Sequence, residues 1–132
     1  MNKIPATVLE IQSVQNLTLV SFSTAAQSLK MMALELPEKV QNGSSVMLTC
    51  KATNIAIAKN SDTMLSFSNQ LHVTIKDIEK GELLCSLTLV FEENTLESII
   101  TADSAKRMNL QEGESVTALI KSSDLSITEV LS

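Results

Sequence analysis

The chain contains neither tryptophan nor tyrosine, and its only aromatic side chains are Phe22, Phe67 and Phe91. Single-stranded nucleic acid is held on aromatic stacking platforms set in a basic groove. With three phenylalanines and a net charge of −5, this sequence offers neither, and a nucleic-acid partner is not expected. The same acidic balance disfavours an anionic membrane surface, which rewards clustered lysine and arginine. A local pocket of N–H and hydroxyl donors can still oppose the global sign, so a small anion stays open as a ligand.

Histidine is as scarce: His72 is the only one, and it falls inside an alternating apolar segment, where a strand residue is a simpler reading than a catalytic base. The sequence has no nucleophile elbow, P-loop, dinucleotide fingerprint or metal-ligand spacing, so an enzyme is not expected and no catalytic cofactor is implied. Cys50 and Cys85 have no CxxC spacing and no paired histidine nearby, and they read as two structural thiols. No apolar run approaches the ~20 residues that cross a bilayer. Met1-Asn2-Lys3-Ile4-Pro5 leads directly into alternating sequence rather than a signal-peptide core, so a cytoplasmic protein is expected. Asn16-Leu17-Thr18 and Asn42-Gly43-Ser44 then read as a turn and a loop rather than glycan acceptors.

What the chain does have is an internal repeat. Lys51-Ala-Thr-Asn-Ile-Ala-Ile is echoed by Lys121-Ser-Ser-Asp-Leu-Ser-Ile. At an offset of 70, Leu17-Thr18-Leu19-Val20 falls on Leu87-Thr88-Leu89-Val90, and Gly43 on Gly113. Near each start the offset is 67, pairing Asn2 with Asn69, Thr7 with Thr74 and Ile11 with Ile78. This reading places a three-residue insertion of the second copy between Ile11 and Leu17, in a hairpin loop around Glu79-Lys80-Gly81-Glu82. The division expected is a first domain over 1–60, a linker over 61–65 and a second domain over 66–132. Copies of about 65 residues are small for self-sufficient cores, so packing on one another or on further subunits follows.

Alternation with β-branched residues predicts strands. In the first copy these run over 4–11, 17–23, 29–34, 45–51 and 54–59; in the second, over 71–77, 83–91, 96–101, 115–121 and 124–128. Residues 102–110 read as a short helix stopped by Gln111-Glu112-Gly113, with 36–43 as its counterpart. The fold class expected is all-β: two tandem OB-like five-stranded antiparallel barrels, each with one short helix.

The closing segment Val116-Thr-Ala-Leu-Ile-Lys-Ser-Ser-Asp-Leu-Ser-Ile resembles the last motif of the molbindin, or TOBE-type, molybdate-binding domain, and Cys50-Lys-Ala-Thr-Asn-Ile-Ala-Ile-Ala matches it equally well. Ile100-Thr-Ala-Asp-Ser-Ala-Lys-Arg-Met-Asn-Leu-Gln-Glu-Gly is similar to that family's threonine-to-serine turn before its glycine. The resemblance spans nearly the whole chain as a tandem form. It implies non-covalent binding of molybdate or tungstate between domains, in storage, buffering or delivery, by a homo-oligomer, often a trimer. The positions matching the family's ligating residues are Thr101 and Ser104 on the turn, Lys121 with Ser122, Lys51 with Ala52, and Ser66-Phe67-Ser68 before Asn69. Hydroxyls, main-chain N–H groups and ammoniums suit a tetrahedral dianion because they donate without presenting a repelling acceptor.

Two departures modify the transfer. Many members carry Ser-Ala-Arg-Asn where this chain has Ser66-Phe67-Ser68-Asn69, so a guanidinium is missing. In the first copy that stretch is absent, and Leu34 stands at the place assigned to Ser104. Fewer sites than two per chain are expected, and the alternative is an interaction or regulatory module that has kept the barrel and lost the anion. Lys51 and Lys121 as solvated strand ends, and Thr101 and Ser104 as simple helix caps, are the structural readings beside the binding one. Met31-Met32 reads as core filling, and Glu92-Glu93 as hairpin charge.

Overall fold

The computed structural model describes residues 1–59 and 64–132; the break Asn60-Ser61-Asp62-Thr63, and with it most of the expected linker, lies outside the described residues. The elements follow in the order β1 (Asn2–Val14), β2 (Leu17–Ser23), β3 (Ser28–Ala33), β4 (Ser45–Cys50), β5 (Ala56–Ala58), β6 (Asn69–Lys80), β7 (Leu84–Phe91), β8 (Asn94–Thr101), α1 (Ala102–Arg107), β9 (Ser115–Ile120) and β10 (Ser126–Val130). Period-two patterning fixes which face is buried. Ile4, Ala6 and Val8 of β1 point inward while Lys3 and Pro5 point out, and Leu71, Val73 and Ile75 of β6 repeat the pattern. Phe22, Leu48, Leu87, Leu89 and Phe91 complete an apolar interior that is continuous through both halves.

The strands form two antiparallel five-stranded sheets, ordered β10-β4-β1-β2-β3 and β5-β9-β6-β7-β8. Each fifth strand has crossed over: β5 pairs with β9 of the second copy, Ile57 opposite Ala118, and β10 pairs with β4 of the first, Ile127 opposite Leu48. The expectation that each copy closes its barrel with its own fifth strand is therefore corrected. Strand exchange offers a small module a way to bury more surface, and joining both partners in one chain removes the cost of a separate association. Ile55 and Leu125, 1% and 2% exposed, pin the two crossings. Burying a side chain of this size contributes about 1.5–3 kcal/mol.

Strand register corrects the placing of the insertion. Thr7 pairs with Ser23 and Thr74 with Val90; Phe22 pairs with Leu29 and Leu89 with Leu96. The offset is thus 67 through β2/β7 and β3/β8, and Val20 is the counterpart of Leu87. The Leu-Thr-Leu-Val echo is coincidental: a shift by three, being odd, would turn the strand over. Leu17 is indeed exposed while Leu87 is buried. The change to 70 falls between β8 and β9, where the second copy builds α1.

That also corrects the expectation of a helix in each copy. Residues 34–44 form only turns, one of them closed by Val40 N–H to the Pro37 carbonyl at 3.1 Å. Three fewer residues leave no room for the extra turn, and Pro37 disfavours a helical Leu36. Both copies converge again at a glycine of positive φ, Gly43 at 90° and Gly113 at 86°, whose N–H groups reach the carbonyls of Val8 at 2.8 Å and Ile75 at 2.7 Å.

Candidate functional site

The two repeated lysines stand where the chain leaves one sheet for the other. Lys51 follows β4 and Lys121 follows β9, each in extended conformation (φ −77° and −68°) at the head of a single 3-10 turn, Ala52–Asn54 or Ser122–Asp124. The Lys51 carbonyl accepts from Asn54 N–H and the Lys121 carbonyl from Asp124 N–H, both at 2.9 Å. Both lysine side chains are exposed, and Ala52 and Ser122 are half-buried beneath them. Because the crossings exchange halves, the first turn packs on β8 and the second on β3.

Two asparagines, Asn2 and Asn69, tie these places together. β3 and β8 are edge strands, whose outward N–H and C=O groups need partners. Asn69, 0% exposed, accepts from Lys30 N–H at 2.7 Å and donates through Nδ2 to the Lys30 carbonyl at 3.0 Å and the Ile120 carbonyl at 3.1 Å. Asn2, 6% exposed, accepts from Glu97 N–H at 2.7 Å and donates to the Glu97 carbonyl at 2.8 Å, with Cys50 Sγ at 4.0 Å. One amide in each half thus caps the other half's edge strand, and Asn69 bonds directly to the residue preceding Lys121.

Lys51 and Ala52 line a groove of about 310 Å³ with Asn2, Thr88, Thr95 and Glu97. The repeat relates these six to Lys121, Ser122, Asn69, Ser21, Ser28 and Lys30. The pairs Thr88–Glu97 and Ser21–Lys30 occupy equivalent places in the β7–β8 and β2–β3 ladders. The charge differs: a carboxylate accompanies Lys51, and an ammonium occupies the corresponding position on the Lys121 side.

Thr101 and Ser104 lie apart from this region, at the start of α1. Thr101 caps the helix, its Oγ1 accepting from Ser104 N–H at 3.1 Å and lying 2.9 Å from Ser104 Oγ, to which Arg107 Nη2 donates at 3.0 Å. The capping role is present, and a guanidinium accompanies it. Strand β8 ends here beside the β6–β7 hairpin, with Ala102 N–H bonded to the Leu83 carbonyl at 2.8 Å. The Lys121 turn packs instead on β3, so one chain displays the two donor groups on separate patches. Ser66 and Ser68 are exposed and Phe67 half-buried just before β6, and the Phe67 carbonyl accepts from Gln70 Nε2 at 3.0 Å. Since Leu34 aligns with Thr101 at the corrected offset, its equivalence to Ser104 does not hold; the first copy lacks the whole capped turn.

Lys30, Glu97 and Arg107 are the polar neighbours that sequence reasoning missed. For the first two the only signal was the Asn2/Asn69 echo. A larger cleft, about 750 Å³, lies under α1 against Cys85, Ala105 and Leu110, with Lys80 and Lys106 in its lining, and contains none of the predicted ligating residues. Cys50 and Cys85 are free and buried, and burial pushes both thiols up from their usual range. His72 is exposed on β6, where its main-chain N–H donates to Gln27 Oε1 at 3.1 Å. Among the described residues no helix is long and apolar enough to cross a membrane.

Comparison with known proteins bears on this arrangement. The family model for the TOBE domain matches residues 65–127. The molybdenum-pterin-binding protein 1 of Clostridium pasteurianum is 34% identical over 64 residues, covering 48% of this chain and 94% of that protein. The solved structure of ModG, a cytoplasmic molybdate-binding protein crystallised with molybdate bound, aligns with a TM-score of 0.88 at 24% identity over 96% of this chain and 94% of its own. A molybdate-binding protein from Sporomusa ovata aligns at 34% identity over 45% of this chain and 88% of its own, with a TM-score of 0.44. The ModG likeness spans both halves and extends the tandem arrangement to a known fold. With the match to the clostridial relative over nearly its entire length, the chain belongs to the TOBE-domain family.

Proposed function

We propose that this protein binds a tetrahedral oxyanion of the molybdate and tungstate class in the cytoplasm and serves to store, buffer or deliver it, without catalysing a reaction. The observation that carries this reading is the Lys121–Ser122 crossover: an exposed ammonium and a neighbouring hydroxyl on a turn whose preceding carbonyl is fixed by buried Asn69. Donors held in advance lower the entropy lost on binding, and a fully charge-assisted shell suits a dianion. ModG, the structural neighbour spanning both halves, is a molybdate-binding protein, and the name of the clostridial relative also carries molybdenum, there as a molybdenum-pterin.

The Thr101–Ser104 turn contributes hydroxyls from a second patch, and a second copy of the chain brings that patch to Lys121; a homo-oligomer, on the family resemblance a trimer, is the assembly proposed. Selectivity over sulfate follows from size, because a smaller anion leaves some donors unpaired. A rival reading, a barrel module that no longer binds, is favoured by Ser68 standing where the family carries a guanidinium and by Glu97 in the groove of Lys51.

Equilibrium dialysis against molybdate, tungstate and sulfate, with metal quantified per chain, separates the two. The proposal expects saturable uptake of the larger anions, undisturbed by excess sulfate and lost in K121A and S104A with assembly unchanged. No uptake by a folded, assembled protein leaves the non-binding module.

A further inference from the structure

We infer that Lys30 is the second cation of the Lys121 site, supplying the charge that the segment before β6 lacks, and that Glu97 at the repeat-related position closes the Lys51 groove to dianions. This rests on the oxyanion reading and goes beyond it by assigning a residue on the opposite half of the molecule.

The argument starts from Asn69. Its carboxamide holds the Lys30 N–H and carbonyl at 2.7 and 3.0 Å and the Ile120 carbonyl at 3.1 Å. One buried side chain thus fixes the backbone of Lys30 and of the residue before Lys121 to a common point. On β3, Leu29 and Met31 point into the core, so Lys30 points out, from the strand against which the Lys121 turn packs. The geometry of the other half shows what that outward position reaches: Glu97, between buried Leu96 and Ser98, lines the same groove as Lys51 and Ala52. Its carboxylate is anchored there by Ser86 Oγ at 2.8 Å.

The two half-sites therefore share a backbone and differ in the charge that the edge strand carries at the equivalent position, Glu97 on β8 and Lys30 on β3. In the Lys51 groove, which Met1 also lines, the Glu97 carboxylate offsets the Lys51 ammonium and presents an incoming dianion with a repelling acceptor. On the Lys121 side, two ammoniums match the two charges of the ligand. Ser68 replaces the arginine of the usual motif, and Lys30 reaches the site from β3 with its backbone already fixed. The exchange of Glu97 for Lys30 on the edge strand favours retention of the second site over the first, alongside the capped turn that the first copy lacks.

The test is equilibrium dialysis against molybdate, with bound metal counted per chain, for the parent, K30Q, K30R and E97K, alongside circular dichroism and light scattering to establish fold and assembly. Lys30 is bonded to Asn69 through its backbone, so the side-chain changes leave the clasp intact. Losing one charge-assisted contact is expected to weaken K30Q about tenfold or more. K30R should retain the parent affinity, and E97K should raise the saturating count by opening the Lys51 groove. Parent-like affinity in K30Q overturns the role of Lys30, and an unchanged count in E97K overturns that of Glu97. Absence of binding in the parent is a different result: it overturns the oxyanion reading itself and this assignment with it.

Discussion

Replacing Asn69 by alanine is the sharpest test of how the two halves are joined. The substitution strips partners from three backbone groups: the Lys30 N–H, the Lys30 carbonyl and the Ile120 carbonyl. A dry, unsatisfied group costs about 1–3 kcal/mol. Lys30 lies on an exposed edge where water can replace part of the loss, whereas Ile120 is 0% exposed and its carbonyl has no such remedy. A total of about 2–4 kcal/mol results, a large share of a typical domain's stability, equivalent to roughly 10 °C in Tm for a chain of this size. Asn2 holds two backbone groups rather than three and is less deeply buried, so N2A should cost about 1–2 kcal/mol. Asn69→Asp gives no rescue, because it keeps the acceptor for Lys30 N–H while turning a carboxylate oxygen on two carbonyls. Urea unfolding followed by far-ultraviolet circular dichroism measures all three, the lack of tryptophan and tyrosine ruling out the usual fluorescence probe. An N69A midpoint equal to the parent's, or N2A costing more than N69A, refutes the view that these amides clasp the halves.

Three further perturbations probe other joints. Glu92 accepts from Thr24 Oγ1 at 2.7 Å, Ala26 N–H at 3.0 Å and Ala25 N–H at 3.2 Å, latching the two halves, so E92A should lose about 1 kcal/mol in the same unfolding assay, and no loss contradicts the latch. Lys59 forms an ion pair with Glu114 at 2.9 Å and donates to the Met108 carbonyl at 2.9 Å; its hydrogen bond to Glu114 is the main cause holding that carboxyl below its ordinary 4.5. Since the folded value is depressed, the stabilisation is present above the unfolded value and lost as pH falls through the folded one; urea midpoints measured from pH 6 down to 3 should fall less steeply in K59M than in the parent, and equal slopes contradict the pairing. A fragment of residues 64–132 lacks β5, which pairs with β9, and retains β10, which pairs with β4. Light scattering should therefore find it self-associated; a stable folded monomer contradicts the importance of the exchange.

Strand positions were legible in the sequence because a half-buried strand writes its alternation directly: β2 matches its expected span, and the others differ by a few residues at their ends. The exchange of β5 and β10 was not legible. The two segments carry the same pattern, Ala-Ile-Ala and Ser-Ile-Thr, so either sheet accepts either strand and only the three-dimensional path decides. The misplaced insertion has a different cause: four identical letters at β2 and β7 outweighed the parity of the faces, which pairing register reveals at once. For the site, the repeat marked Lys51 and Lys121 because both sit at crossings. Lys30 and Glu97 escaped because they lie on edge strands of the opposite half, tied to the crossings by the Asn69 and Asn2 amides through contacts that no local spacing encodes. Thr101 and Ser104 announced themselves through the helix cap, a local signal, which left open their separation from Lys121 within one chain.

The central claim, an oxyanion site built on the Lys121 crossover, is tested most directly by crystals grown with tungstate and measured at the tungsten absorption edge. The account predicts an anomalous peak within hydrogen-bonding reach of Lys121 Nζ and the Ser122 hydroxyl, with Lys30 Nζ facing it. Peaks confined to other surfaces, or none at a tungstate concentration that saturates binding in solution, would contradict it.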